Sequence, residues 1–302
     1  MAEVDVSLNL PLKTTSHGCS SITVCFVENL LILGSPGLVA FPAGGYLYVK
    51  SLKKTVEYMW KTRRYNKMVF YTEACESGSM YVDWSAEMAK MNVYAVSAAT
   101  PFESSYAYYY DSVIGTYLGD LFSITYMEEI DDRGVDLSLQ QHFDRVVFFM
   151  QATGRSSHPQ QYGHKITPVK RSSTIRNAQL SETFNTYDVK LISLQKALLH
   201  ETAHDRRTRL EALIDAEDKR RTWVDTLFSS LVELVVPGYT VNDLMYYTRI
   251  NHECFQESVE SFTQSCGYPS DYGLQYLKIF ATMCELNVAP EVIHQAALEL
   301  CH

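Results

Sequence analysis

Residues 67–80 read KMVFYTEACESGSM. The apolar, β-favouring run Met68, Val69, Phe70 and Tyr71 ends abruptly in Glu73, Ala74 and Cys75, with small residues behind them. That is the pattern of a buried parallel strand delivering a side chain to the rim of a sheet. In open α/β sheets, ligands and catalytic groups gather at the carboxyl ends of strands. Cys75 is therefore placed as a nucleophile. A thiol acts as one only when a base or a lowered pKa makes the thiolate, so the chain should also carry a histidine.

Working outward, "VYAVSAAT" (93–100) repeats the pattern of a buried strand ending in small residues, and "GLVAFP" (37–42) reads as a strand running into a turn. "KSLKKTVEYMWKTRRY" (50–65) is an amphipathic helix with Leu52, Val56 and Met59 at helical spacing. "TYLGDLFSITYMEEID" (116–131) predicts a helix from about Gly119, and "SLQQHFDRVVFFMQAT" (138–153) another. The alternation predicts an α/β domain, a parallel sheet flanked by helices. Residues 166–190 lack periodicity and read as a connector. Residues 191–302 read as all-helical, broken at Val236, Pro237 and Gly238. The mixed charges of "HDRRTRLEALIDAEDKRR" (204–221) read as a solvated helix face. Residues 1–33 fit neither half: "SSITVCFVENLLIL" (20–33) is apolar enough for a strand, but no strand or helix precedes it as a partner.

Composition narrows the function classes. Apolar residues at 46% and charged residues at 20% describe an ordinary globular chain. A net charge of −9 argues against a nucleic-acid surface. No apolar run is long enough to span a membrane, and the first residues lack the pattern of a secretion signal. Of the seven cysteines, Cys254, Cys266, Cys284 and Cys301 crowd the tail at gaps of 12, 18 and 17, which do not fit structural zinc. Two disulfides or buried thiols remain, and disulfides imply an oxidising compartment. No metal or other cofactor is expected.

Three stretches together, "GSPGLVAFP" (34–42), "FYTEACESGSM" (70–80) and "VYAVSAATPFESSYAYYYD" (93–111) with "TYLGDLFSITYMEEID", resemble the legumain family of cysteine endopeptidases, also called asparaginyl endopeptidases or peptidase family C13. The resemblance runs from residue 34 to 302. It implies a caspase-like domain over 34–165, an activation peptide over 166–190 and a helical prodomain over 191–302. It leaves 1–33 unassigned, as non-native or atypical sequence, in a chain that is incomplete at its front.

The resemblance also assigns roles. Cys75 matches the nucleophile, which forms a thioester, and Gly34 a donor to the oxyanion hole. The family's base is a histidine directly before that glycine, but here the residue is Leu33, behind Ile32 where the family has an aspartate. His17 lies 16 residues upstream of that position, and His142, His158 and His164 read as surface residues. The pocket for the substrate asparagine maps to Glu73, Ser104, Ser105, Tyr106 and Asp120, with Tyr117 nearby. An amide NH2 has two donors, which suits carboxylate acceptors. The pocket's arginine belongs to the front that the chain lacks. Read without the family, Glu73 is a satisfied buried acid and Asp120 a helix N-terminal residue.

The implied disulfides are Cys254–Cys284 and Cys266–Cys301. Asn177 and Asn185 are the candidate activation cleavage sites. The prodomain is expected to inhibit its own active site until carboxylates protonate, through Glu73 and Asp120 facing the basic runs at 205–209 and 218–221. The expected activity is cleavage of peptide and protein substrates after asparagine, or aspartate in acid, in a lysosome- or vacuole-like compartment, without nucleic acid. Leu33 leaves this chain without the family's base. The alternatives are an inactive, peptide-binding pseudoenzyme and a transamidase or peptide-ligase relative.

Overall fold

The computed structural model describes residues 33–41, 45–131, 138–153, 157–164 and 182–301 in full, and the backbone alone of 22–27, 132 and 133. The stretch around Cys75 organises it. Strand β5 (Lys67–Thr72) is buried at every position after Lys67, as a strand covered on both faces must be. It pairs in parallel with β6 (Val93–Ser97) and with β1 (Ile22–Val27), and β6 pairs antiparallel with β9 (Gln160–Gly163). The order is β1-β5-β6-β9. The segment that the sequence left unplaced is thus a strand, its partner lying 45 residues downstream at the register Ile22↔Lys67.

Alternation along β5 sends Met68 and Phe70 to one face and Val69 and Tyr71 to the other. The first face packs with Val56 of α1 (Val49–Lys61), Trp84, and Met88 of α2 (Ser85–Lys90). The second packs with Leu121, Phe122 and Tyr126 of α3 (Leu121–Arg133) and Val146 and Met150 of α4 (Leu139–Ala152). A reciprocal capping box between Ser138 and Gln141 starts α4.

Two small antiparallel sheets flank this core. One is β2 (Leu33–Ser35), β3 (Leu38–Ala40) and β4 (Tyr46–Tyr48); the other is β7 (Tyr106–Asp111), β8 (Thr116–Asp120) and β10 (Phe184–Asn185), in the order β10-β7-β8. The helix expected from about Gly119 begins only at Leu121, because residues 116–120 form the hairpin strand β8. The turn explains why. The Asp111 carboxylate accepts the N–H groups of Val113 and Ile114, both at 2.8 Å, and Gly115 takes a left-handed φ of +76°. The connector is likewise not structureless at its end, since β10 adds to the edge of β7.

The tail is helical as expected: α5 (Val189–His200), α6 (His204–Val235), α7 (Val241–Leu244), α8 (His252–Cys266), α9 (Lys278–Glu285) and α10 (Pro290–Cys301). Gly238, at φ +89°, follows the break after α6. Cys254–Cys284 ties α8 to α9 and Cys266–Cys301 ties α8 to α10, the pairing the resemblance implied. The apolar core of this tail, including Phe228, Phe262, Leu277, Phe280 and Ile293, runs without a break into Leu33, Leu38, Tyr48 and Cys75. The tail therefore sits on the rim where Cys75 emerges. Among the described residues no helix is long and apolar enough to cross a membrane.

Candidate active site

The chain leaves β5 at Thr72 and turns sharply after Cys75: Glu76 takes a left-handed φ of +51° and Ser77–Met80 form a 3₁₀ turn. A non-glycine residue there is uncommon and strained. It is held by the Glu76 N–H donating to the Glu103 carbonyl at 2.8 Å. Cys75 is wholly buried. Its sulfur accepts the Ser105 N–H at 3.2 Å and lies 3.5 Å from the Ser105 hydroxyl. Burial and the neighbouring Glu76 charge push the thiol up to about 12, against the lowering effect of Ser105.

Gly34 passes against Cys75. A Cβ there would stand 1.8 Å from the Cys75 carbonyl oxygen, so only glycine fits. Leu33 is buried in the core shared with the tail and offers no proton acceptor. Of the four histidines singled out from the sequence, His142 and His158 have partners of their own. His142, expected on the surface, is buried with its Nε2 3.3 Å from the Tyr126 carbonyl, because it lies on the inner face of α4. Burial lowers its pKa. His158 pairs with Glu103 at 2.8 Å, and His164 is exposed at the end of β9. His17 and Asn177 lie outside the described residues.

The residues expected to form the pocket divide. Ser105 and Asp120 meet beside Cys75: the Ser105 hydroxyl donates to Asp120 Oδ2 at 2.8 Å. Burial raises the Asp120 pKa and the Ser105 and Thr186 hydroxyls lower it. Asp120 is the last residue of β8, directly before α3. Glu73 serves the start of that helix, with Oε2 accepting the Ser123 N–H at 2.8 Å and the Ser123 hydroxyl at 3.1 Å. Ser104 and Tyr106 are half-buried, and Tyr106 stands opposite Asn185 in the β7–β10 pairing. Tyr117, opposite Tyr110 in the β7–β8 pairing, is buried against Phe184.

Four residues that sequence reading passed over complete the site. Thr186, from the connector, donates its N–H to the Ser105 carbonyl at 3.2 Å and its hydroxyl to Asp120 Oδ2 at 3.0 Å. The Tyr187 hydroxyl donates to the Gly34 carbonyl at 2.6 Å and lies 3.0 Å from Glu76 Oε2. Glu76, fully buried, forms an ion pair with Lys278 at the start of α9. This is where the tail's charge meets the site. The expected facing of Glu73 and Asp120 with the basic runs is not found: Arg220 and Arg221 turn inward to Glu217, and Arg221 also reaches Asp188 at 2.6 Å. The only sequence signal for the ion pair was the adjacency of Glu76 to Cys75.

Comparison with known proteins places this arrangement. The Peptidase C13 family matches residues 29–177, and the legumain prodomain matches residues 213–301. Legumain of Mus musculus is 33% identical over 288 residues, covering 89% of this chain and 65% of the relative. Legumain of Homo sapiens is 30% identical over 289 residues, covering 89% and 64%. The vacuolar-processing enzyme delta-isozyme of Arabidopsis thaliana is 29% identical over 303 residues, covering 89% and 64%. The chain thus spans a little under two thirds of the length of these relatives. With the C13 match over the fold that carries Cys75 and the prodomain match over the helical tail, the chain belongs to the peptidase C13 family.

Proposed function

We propose that the chain is a legumain-type cysteine endopeptidase in its closed, zymogen form, selective for asparagine and deprived of its base by Leu33. Cys75 is the nucleophile that would form a thioester with the acyl group of the cleaved bond. Gly34 supplies an oxyanion donor, and Asp120 with Ser105 accepts the amide donors of the substrate side chain. The observation that carries this reading is the meeting of Ser105 and Asp120 directly beside the Cys75 sulfur. Covered by the tail and without an acceptor at position 33, the thiol stays protonated. The chain as it stands binds rather than cuts, and Leu33 is the observation that favours this peptide-binding reading. A transamidase or ligase outcome differs only in whether an amine or water resolves the thioester.

The charge arrangement bears on release in acid. Burial raises the Glu76 pKa despite Lys278 and Tyr187, so Glu76 holds a proton more readily when docked than in water. Acidification through Glu76 alone favours docking. Glu217 has the opposite sign: burial, which raises its pKa, is outweighed by bonds from Arg220 and Lys190, and the net shift is downward. Its stabilisation is present above the ordinary glutamate range and is lost as pH falls through the lowered value. We therefore place the acid-sensitive step in the pairing of α5 with α6, next to the segment in the cleft. Asn185 is the activation cleavage site within the described residues, and the two disulfides suit an oxidising route to a lysosome- or vacuole-like compartment.

The test is Leu33→His, assayed on a fluorogenic peptide ending in asparagine at pH 5 after removal of the tail. The expected result is turnover in the variant, none in the parent chain, and none when Cys75→Ser is added. Equal turnover by the parent chain, or turnover of the variant on alanine peptides alone, refutes the proposal.

A further inference from the structure

The segment Phe184–Asp188 carries an asparagine, yet its asparagine is not the residue in the pocket. We propose that Thr186 occupies the pocket of a self-inhibitory strand held one residue out of the register that presents Asn185, so that cleavage after Asn185 requires a one-residue slip. The inference rests on the reading of Ser105 and Asp120 as the asparagine pocket.

The strand is fixed by its partners. β10 runs antiparallel to β7, with Phe184 opposite Ala107 and Asn185 opposite Tyr106. The next bond of that ladder is the Thr186 N–H to the Ser105 carbonyl, at 3.2 Å. Ser105 is also the residue whose N–H reaches the Cys75 sulfur, so the residue bonded to Ser105, the first of the 3₁₀ turn Thr186–Asp188 that follows β10, is the one presented at the nucleophile. That residue is Thr186. Its hydroxyl donates to Asp120 Oδ2 at 3.0 Å and stands 2.9 Å from the Ser105 hydroxyl.

Asn185 is the last residue of β10 and caps the 3₁₀ turn that begins at Thr186. Along a strand, a slip of one residue, ~3.3 Å, exchanges which side chains face the partner's pocket. The Asn185 Oδ1 is occupied within its own turn, accepting the Tyr187 N–H at 3.1 Å. Tyr187 is the second anchor, buried with its hydroxyl on the Gly34 carbonyl. A slip must withdraw that hydroxyl and break the contact of Thr186 with Asp120. Two anchors therefore hold the cleavable residue out of the pocket, and a hydroxyl with one donor fills a site whose carboxylate can take two from an amide.

The test uses the full chain and a fluorescein-labelled Ala-Ala-Asn amide, read by anisotropy, with hydrogen exchange of residues 184–188 as a second measurement. Thr186→Val removes the bond to Asp120 while keeping shape. It should speed exchange in the segment and raise the probe's affinity roughly tenfold or more. Thr186→Asn puts an amide in the pocket without a slip and should slow exchange and weaken probe binding. Parent-like exchange and affinity in both variants overturn the inference. If exchange responds but the probe binds no better than Ala-Ala-Ala amide, the strand contact stands and the asparagine reading of the pocket falls. In a Leu33→His background, the new C-terminus should move from residue 185 to residue 186 when Thr186→Asn is added. A terminus that stays at 185, formed at the same rate, overturns the register assignment.

Discussion

Replacing Lys278 with methionine isolates the ion pair under the tail. Glu76 is fully buried, and its partners are Lys278 and the Tyr187 hydroxyl. The Lys278 side chain is only 12% exposed, so water does not replace the lost cation. Stranding one member of a buried pair costs about 3–5 kcal/mol. The loss should depend on pH with a defined sign. Burial already raises the Glu76 pKa, and removal of Lys278 raises it further. The variant's carboxylate is then neutral over a wider range, and its penalty shrinks as pH falls. One proton is worth at most about 1.4 kcal/mol per pH unit, so between pH 7.5 and 5.0 the variant should recover on the order of 1–3 kcal/mol relative to the parent. Urea unfolding at the two pH values measures this, and Glu76→Gln added to Lys278→Met should restore much of the loss at pH 7.5. An equal loss at both pH values, with no rescue by the double change, refutes the reasoning.

Cys75 should resist alkylation by iodoacetamide in the native chain at pH 8 and react readily after unfolding, because burial holds its thiol near 12; mass mapping of its peptide decides. Replacing Cys254 and Cys284 by serine should cost about 3–4 kcal/mol by opening a loop of 30 residues, measured by thermal unfolding. Glu217→Gln should lower stability by roughly 1–3 kcal/mol at pH 7, through the charged bonds to Arg220, Arg221 and Lys190. That difference should start to shrink as pH falls through the ordinary glutamate range and vanish only below the lowered value of the folded chain. A difference that does not shrink at all between pH 6 and pH 2 counts against the assignment.

The parts of the fold that follow from local pattern were legible. The burial run of β5, the small residues after it and the amphipathic spacing of α1 can be read without a partner, because their neighbours in space are near in sequence. The hairpin strand β8 was missed because residues 116–120 run straight into a helix, and only the Asp111 turn separates the two readings. Strand β10 is two residues long and has no period to detect; it exists because β7 offers an open edge. Within the site, Cys75, Gly34, Ser105 and Asp120, all named by the resemblance, lie together. Thr186, Tyr187 and Lys278 did not appear, since each acts across a long stretch of chain: Lys278 meets Glu76 from 202 residues away. Long-range charge pairs leave no trace in a local window.

The single core that joins Leu33, Leu38 and Tyr48 to Phe280 and Ile293 has a consequence for biosynthesis. During translation the strands around Cys75 emerge well before α8, α9 and α10 exist. For that interval the apolar rim has no cover, and closing it brings together residues some 260 positions apart. Contacts of such separation form late, because the loop entropy must be overcome before they contribute. The tail then acts as the last-arriving half of a folding unit, and a nascent chain released early presents a sticky surface to chaperones and to its own copies.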